Sequence, residues 1–228
     1  MYSQICINYF TTLIMTIYHL LVIIIMLALL TLTMPLYHTT LRTLSAEINQ
    51  AIDLPTRQAW LLTAISLLCN IILFINLASN IKMMLASIFT QGLIVASIID
   101  HKHGLLPDAI TLSLMWIGLL ANSYNLFCTA HAAIIGSICG YLSLYITNRL
   151  YYFYRKKEGI GHGDFKLLAA SGALLGYQSL PNIIIIACLL TLSLSCIQIV
   201  RKQKTAGASI AFGPGLSVAS FLVLLHTQ

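Results

Sequence analysis

The feature that most constrains this chain is a series of long apolar stretches separated by short polar or basic segments. Hydrophobic residues make up 59% of the sequence and charged residues 8%, against about 45–50% and about 25% in soluble domains. So few charges cannot cover a soluble globule, whereas an apolar stretch of about 20 residues crosses a bilayer as a helix. The sequence therefore predicts an all-α integral membrane protein.

Eight apolar windows predict a polytopic bundle of about eight transmembrane helices. The windows lie near residues 12–35, 60–79, 83–99, 109–127, 130–148, 165–178, 181–200 and 210–226. The first window lacks a preceding basic segment and is longer than the apolar core of a signal peptide, so we expect a retained span. Only short loops are left, so residues 1–228 are predicted to form a single membrane domain.

The basic residues indicate the orientation of these spans. The odd-numbered loops hold Arg42, Arg57, Lys102, Arg149, Arg155, Lys156, Lys157, Arg201, Lys202 and Lys204, whereas the even-numbered loops hold only Lys82. Loops rich in lysine and arginine face the cytoplasm. We therefore expect both termini outside, and we attribute the net charge of +6 to topology and contacts with membrane lipid rather than to nucleic acid binding.

Metal ligands with a recognisable spacing are not predicted. The six cysteines form no C-x-x-C pair, so a cysteine zinc site is not expected. His101 and His103 form an H-x-H pair in a predicted loop, where two imidazoles are more often solvated than bound to metal.

Acidic residues are rare, and three of the six adjoin apolar spans. Asp100 closes the third span, Asp108 follows Pro107 and opens the fourth, and Asp164 precedes the sixth. An ionisable residue beside the membrane core is costly and marks a functional candidate. Asp108 and Asp164 also suit helix N-caps, and we favour this interpretation for Asp108. Asp100 lies at a helix C-terminus, where the helix dipole disfavours its charge, so another interaction must hold it.

Three alternating glycines precede Asp164 in the segment from Gly159 to Lys166. Glycine lets the backbone take unusual conformations and lets another chain approach closely. We therefore interpret Gly161 and Gly163 as residues that shape the loop and admit an extended substrate. The other candidates for substrate binding or loop shaping are Pro107, Asp108 and Lys166. Lys166 does not share a helical face with Asp164, so we expect no fixed ion pair between them.

Two carboxyl groups at one membrane face predict peptide hydrolysis. If the third and sixth spans pack together, Asp100 and Asp164 repel each other, so that one keeps a proton while the other is ionised. The carboxylate can take a proton from an attacking water, and the acid can protonate the peptide carbonyl oxygen. This chemistry needs no cofactor. An ion-coupled transporter that uses the aspartates as a relay stays open as an alternative, although both acids lie near one interface and no inverted repeat is visible.

The order of these motifs resembles that of the type IV prepilin peptidases, which are membrane aspartyl proteases of the G-x-G-D group. The resemblance rests on the stretch from Ile99 to Asp108, on Gly161-His-Gly-Asp-Phe-Lys166 with the later Gly172 and Gly176, and on Ala211-Phe-Gly-Pro-Gly215, which is similar to the family's F-G-P motif. It covers roughly residues 85–226, which we take as a peptidase core, and leaves 1–84 as a divergent N-terminal part.

The resemblance implies that Asp100 and Asp164 are the catalytic pair, and that Asp108 belongs to the pattern without being catalytic. It implies cleavage of the basic leader from type IV prepilins or pilin-like pseudopilins at the cytoplasmic face of a bacterial inner membrane. A non-catalytic subunit of a pilus or secretion machine is the other function that we keep open.

Many members of this family also carry a cytoplasmic zinc domain with two C-x-x-C pairs, and many methylate the new N-terminus with S-adenosylmethionine. The loop at 37–57 contains no cysteine, so we expect the zinc domain to be missing here. Methyl transfer, and with it S-adenosylmethionine as a cofactor, is left open.

Overall fold

A computed structural model describes residues 56–77, 80–156, 159–200 and 211–226. The chain divides into two compact units, Met1–Ser87 and Ile88–Gln228. The predicted span at 12–35 and most of the loop at 37–57 lie outside the described residues. The organisation of residues 1–228 as a single membrane domain stays a prediction.

The described residues are helical and include no strand, which confirms the all-α class. The helices are α1 (Thr56–Asn76), α2 (Asn80–His103), α3 (Asp108–Ser123), α4 (Ala130–Arg155), α5 (His162–Leu175), α6 (Leu180–Val200) and α7 (Gly213–His226), with a 3-10 turn at Tyr177–Ser179. Three segments of the described chain are long and apolar enough to cross a membrane, and they are Ile81–Lys102, Ala130–Arg155 and Tyr177–Gln198.

Two helices run past the ends predicted from the sequence. Helix α2 continues to His103, so both histidines of the H-x-H pair lie in its last turn rather than in a loop. Helix α4 continues to Arg155 instead of ending at residue 148, because basic side chains such as Arg149 can reach solvent from a helix. Helix α4 ends where Lys156 takes a left-handed conformation with φ 57° and its N–H bonds to the Tyr152 carbonyl.

Helix α5 forms the centre of the second unit. Every residue from Leu167 to Leu175 is buried, and the helix contacts α3, α4, α6 and α7. A helix that is apolar on all sides belongs inside a bundle, where neighbouring helices cover each face.

Glycines let α3 and α4 approach α5 closely. A Cβ atom at Gly136 of α4 would collide with the carbonyl oxygen of Gly172, and a Cβ atom at Gly172 would collide with that of Gly136. A Cβ atom at Gly118 of α3 would lie 2.8 Å from the Leu174 nitrogen. Because backbone atoms cannot move aside as a side chain can, these small residues permit the close packing of apolar helices.

The outer face of α4 differs from α5 because its large apolar side chains are exposed. The exposed positions of this helix include Ile134, Ile138, Leu142, Ile146, Leu150 and Phe153. A contiguous apolar surface of this kind marks contact with a membrane or a partner. Together with the three long apolar segments, it fits an integral membrane protein.

Candidate active site

Two buried carboxyl groups lie close together at one end of the second unit. Asp100 belongs to the last turn of α2 and Asp164 to the first turn of α5, and each residue is only 6% exposed. The charge of Asp100 is one of the causes that raise the pKa of Asp164, so the two carboxyl groups lie within electrostatic range of each other. The fold therefore brings together two acids that lie far apart in the sequence.

Asp100 is held by the first residue of α7. The backbone N–H of Gly213 donates a hydrogen bond to Asp100 Oδ2 over 2.9 Å. A Cβ atom at Gly213 would lie 2.5 Å from the same oxygen and 2.9 Å from Asp100 Cγ, so a larger residue would displace the carboxyl group. The positive end of the α7 dipole also points at this carboxyl group. A carboxylate at a helix C-terminus needs a stabilising partner, and the Gly213 N–H is that partner for Asp100.

Asp164 has a different environment. The N-cap of α5 is Gly161, so the interpretation of Asp164 as a cap is wrong. In the described part of the chain, Asp164 Oδ1 is buried and has no hydrogen-bond partner. Asp164 lies outside the three candidate membrane spans. Burial and then the charge of Asp100 raise the pKa of Asp164 to about 7, against an opposing effect of the Gly161 backbone. Asp164 is therefore partly protonated at neutral pH.

Asp108 and Lys166 form an ion pair between α3 and α5, with 2.5 Å between Asp108 Oδ1 and Lys166 Nζ. The prediction that Asp108 is the N-cap of its helix is wrong, because Pro107 takes the extended cap conformation and Asp108 becomes the first helical residue. Its charge still suits the positive end of the helix dipole. The Asp108 side chain is 60% exposed, which separates it from the buried pair.

The two glycines predicted to shape the loop have different surroundings. A Cβ atom at Gly163 would collide with the side chain of Leu106, so Gly163 lets the α2–α3 connection pack against the start of α5. A Cβ atom at Gly161 would meet only Asp164 Oδ2, at 3.5 Å, which is an ordinary contact. Gly161 is also exposed, so it lines open space beside Asp164. Substrate admission at these glycines stays a prediction.

Asn148 of α4 fixes the loop before Asp164, and sequence reasoning did not find it. Its side-chain oxygen accepts hydrogen bonds from the N–H groups of Gly159 and Ile160 over 2.9 Å and 3.1 Å. Asn148 is 6% exposed. A buried amide in an apolar helix needs partners, so a lone asparagine next to a glycine loop was the available signal.

Gly213 was likewise noted only as part of the F-G-P motif, and its contact with Asp100 was not predicted.

In the described ranges no cluster of three or more histidine, cysteine, aspartate or glutamate residues could hold a metal ion. His101 of the H-x-H pair is exposed, and the side chain of His103 is not described.

Comparison with known proteins finds one family whose model matches the segment that contains Asp100 and Asp164. Residues 87–196 match the model of the type IV leader peptidase family. The prepilin leader peptidase/N-methyltransferase of Pseudomonas aeruginosa is 42% identical over 138 residues, which are 60% of this chain and 48% of that protein. The protein of the same name in Pectobacterium carotovorum subsp. carotovorum is 45% identical over 134 residues, 58% of this chain and 48% of the relative.

A third relative, the prepilin leader peptidase/N-methyltransferase of Legionella pneumophila, is 37% identical over 145 residues. These residues are 64% of this chain and 50% of the length of that protein. The chain spans about half the length of the curated relatives it matches. No solved structure matches. The resemblance predicted from the residues is confirmed by these matches.

Proposed function

We propose that this chain is a leader peptidase that hydrolyses the bond between the basic leader and the apolar helix of type IV prepilins or pseudopilins. The observation that carries the proposal is the buried pairing of Asp100 and Asp164 inside the segment that matches the leader peptidase family. Two adjacent carboxyl groups whose proton affinities differ are the minimal equipment for this reaction.

Asp100 and Asp164 divide the proton transfers between them, one as a carboxylate and the other as an acid. The oxygen of a water molecule bonds to the peptide carbonyl carbon while the carboxylate takes a water proton and the acid protonates the carbonyl oxygen. The C–N bond then breaks: the newly protonated carboxyl group gives its proton to the leaving amine, and the other carboxyl group recovers a proton from the tetrahedral intermediate. The pair returns to its starting state, and no cofactor is consumed.

An extended substrate segment reaches Asp164 across Gly161. The exposure of Gly161 and the open space beside it support this path. A bulky replacement, Gly161→Leu, is expected to slow cleavage at normal protein levels, whereas full cleavage by this variant would rule out a close approach there.

We further propose that the chain crosses a bacterial inner membrane about eight times, with Asp100 and Asp164 at the cytoplasmic face. The excess of basic residues in the odd-numbered loops supports this orientation. Asp100 lies near the end of the candidate span Ile81–Lys102, which suits a site at the membrane surface. The exposed apolar face of α4 is proposed to contact lipid.

Methyl transfer is proposed only as a second activity, because the relatives are named for it. S-adenosylmethionine would supply the methyl group. We assign none of the described residues to its binding, and we derive no step through it.

The test is cleavage of a co-expressed type IV prepilin, followed by the mass of the product. Wild type is expected to remove the leader, and Asp100→Asn and Asp164→Asn are each expected to lose at least about 10²-fold in rate. Asp108→Asn is the matched control, because its exposed carboxyl group pairs with Lys166 and lies outside the buried pair. The added mass of one methyl group on the wild-type product would establish methyl transfer.

Cleavage that persists in either buried-acid variant would contradict the two-aspartate mechanism. Ion-dependent transport in vesicles without proteolysis would favour the transporter instead. Normal pilus assembly or secretion by a chain with both aspartates changed to asparagine would favour the non-catalytic subunit.

A further inference from the structure

We infer that Gly213, at the start of α7, holds Asp100 as the ionised member of the pair and thereby leaves Asp164 to carry the proton. The inference rests on the proposed two-aspartate hydrolysis and assigns a role to each carboxyl group. Gly213 is a positioning residue, because it acts through Asp100.

The contact between Gly213 and Asp100 favours a negative charge on Asp100. The first N–H groups of a helix have no partner within the helix, so the Gly213 N–H is free to bind an anion. Its bond to Asp100 Oδ2 is 2.9 Å long and buried. A hydrogen bond from a backbone donor stabilises a carboxylate more than a neutral acid, and the α7 dipole acts in the same sense.

Asp164 is less well satisfied than Asp100. The Gly161 backbone favours ionisation of its carboxyl group, but burial and the charge of Asp100 outweigh that effect. In the part of the chain that the structure describes, the Oδ1 atom of Asp164 has no hydrogen-bond partner although the residue is only 6% exposed. An ionised oxygen that is buried without a donor is costly, whereas a protonated carboxyl group carries less charge to satisfy. The shared proton therefore belongs on Asp164.

The surrounding charges do not reverse this order. His101, which follows Asp100 in α2, is exposed to solvent. The charge of Asp100 in turn disfavours ionisation of Asp164. Lys166 of α5 is held by Asp108 rather than by Asp164.

This assignment gives Asp100 the role of general base and Asp164 the role of general acid in the first step. Asp100 takes a proton from water while the water oxygen bonds to the carbonyl carbon, and Asp164 gives its proton to the carbonyl oxygen. When the C–N bond breaks, Asp100 protonates the amine and Asp164 recovers a proton from the tetrahedral intermediate.

Infrared difference spectroscopy of the full chain at slightly acidic pH tests this assignment without substrate. The carbonyl stretch of a buried protonated carboxyl group is expected to disappear in Asp164→Asn and to remain in Asp100→Asn. The opposite pattern, or loss of the band in neither variant, would overturn the inference. Because no cleavage is measured, either result is independent of the proposed function.

The pH profile of cleavage tests the role of Gly213. Gly213→Ala is expected to lower kcat and to move the acidic limb of the kcat profile upward by on the order of one pH unit, because ionised Asp100 loses its donor. Gly215→Ala is the matched control, since its Cβ atom would collide with Thr191 of α6 and not with Asp100.

An acidic limb that stays in place in Gly213→Ala, or that moves equally in both variants, would overturn the role of Gly213. If Gly213→Ala does not accumulate, the infrared assignment of the proton decides the inference.

Discussion

A buried polar side chain lies at each end of α5, but only the one at the C-terminal end has hydrogen-bond partners for all of its polar atoms. At the C-terminal end the amide of Asn122 from α3 is 0% exposed and uses both its donor and its acceptor atoms. At the N-terminal end Asp164 is 6% exposed, and one carboxyl oxygen has no partner among the described residues. One helix thus joins a fully bonded end to an end with unused hydrogen-bonding capacity.

The bonds of Asn122 tie three parts of the chain together. Its side-chain nitrogen donates to the carbonyl oxygens of Ala173 and Leu174 over 2.8 Å and 2.7 Å. Its side-chain oxygen accepts from the N–H groups of Phe127 and Cys128, each over 3.0 Å. These contacts join the end of α3, the α3–α4 connection and the last turn of α5.

The difference separates a structural role from a reactive one. Buried polar groups are nearly always paired in folded proteins, so the exceptions call for an explanation. An unpaired, partly protonated acid weakens the fold, and it is also the group that can exchange a proton with a substrate. We therefore expect mutations at the two ends to change stability in opposite directions.

The largest stability loss is expected at the bonded end. Asn122→Ala leaves two carbonyl oxygens and two N–H groups without their partner, and it should lower the free energy of unfolding by about 3 kcal/mol or more. Denaturant unfolding in detergent measures the change. Ser123→Ala, at the exposed neighbouring position, should stay within about 0.5 kcal/mol. Equal effects of the two variants would mean that the Asn122 bonds do not stabilise this end.

A smaller loss is expected where α4 crosses α5. Gly172→Ala would drive a Cβ atom into the Gly136 carbonyl group and should cost about 1–3 kcal/mol through overpacking. Gly161→Ala adds the same atom at an ordinary contact distance, 3.5 Å from Asp164 Oδ2, and serves as the control for overpacking. An unchanged unfolding midpoint in Gly172→Ala would show that α4 and α5 can move apart without a loss of stability.

The reactive end should make stability depend on pH. The pKa of Asp164 is raised to about 7 in the folded state, against about 3.9 when unfolded. Between these two pKa values the folded chain binds one more proton than the unfolded chain. The stabilisation from this proton is fully present below the unfolded pKa and is lost as pH rises toward about 7. The free energy of unfolding then falls by at most about 1.4 kcal/mol per pH unit. Asp164→Asn should flatten this fall in thermal unfolding, and an unchanged slope would contradict the assignment.

The smallest effect is expected at the ion pair beside the reactive end. Lys166→Met breaks its contact with Asp108, whose side chain is 60% exposed, and should change the free energy of unfolding by less than about 1 kcal/mol. Thermal unfolding at low and high salt measures this. A larger loss would mean that this pair, and not helix packing, holds α3 against the start of α5.

Much of the helical architecture was predictable from the sequence, because apolar windows and their polar boundaries mark helices directly. The window 109–127 corresponds to α3 at Asp108–Ser123, and 181–200 corresponds to α6 at Leu180–Val200. Helix ends were harder to predict, since Arg149 was taken as the start of a loop although α4 continues to Arg155. A single charge near the membrane surface does not end a helix.

The site was predictable only in part. Asp100 and Asp164 stood out because acids beside apolar spans are rare, and the position of Asp100 at a helix C-terminus indicated a missing partner. That partner, the Gly213 N–H, is a backbone group more than a hundred residues away, and residue types do not reveal it. The same limit applies to the ion pair of Asp108, because its contact with Lys166 depends on how α3 and α5 pack.

Cleavage and thermal stability measured on one preparation of Asp164→Asn test the central claim most directly. The account predicts that leader cleavage is lost while the unfolding temperature at neutral pH stays equal to that of wild type or rises, because a neutral amide replaces a buried acid. A variant that still cleaves, or one that loses cleavage only because it unfolds at a lower temperature, would contradict it.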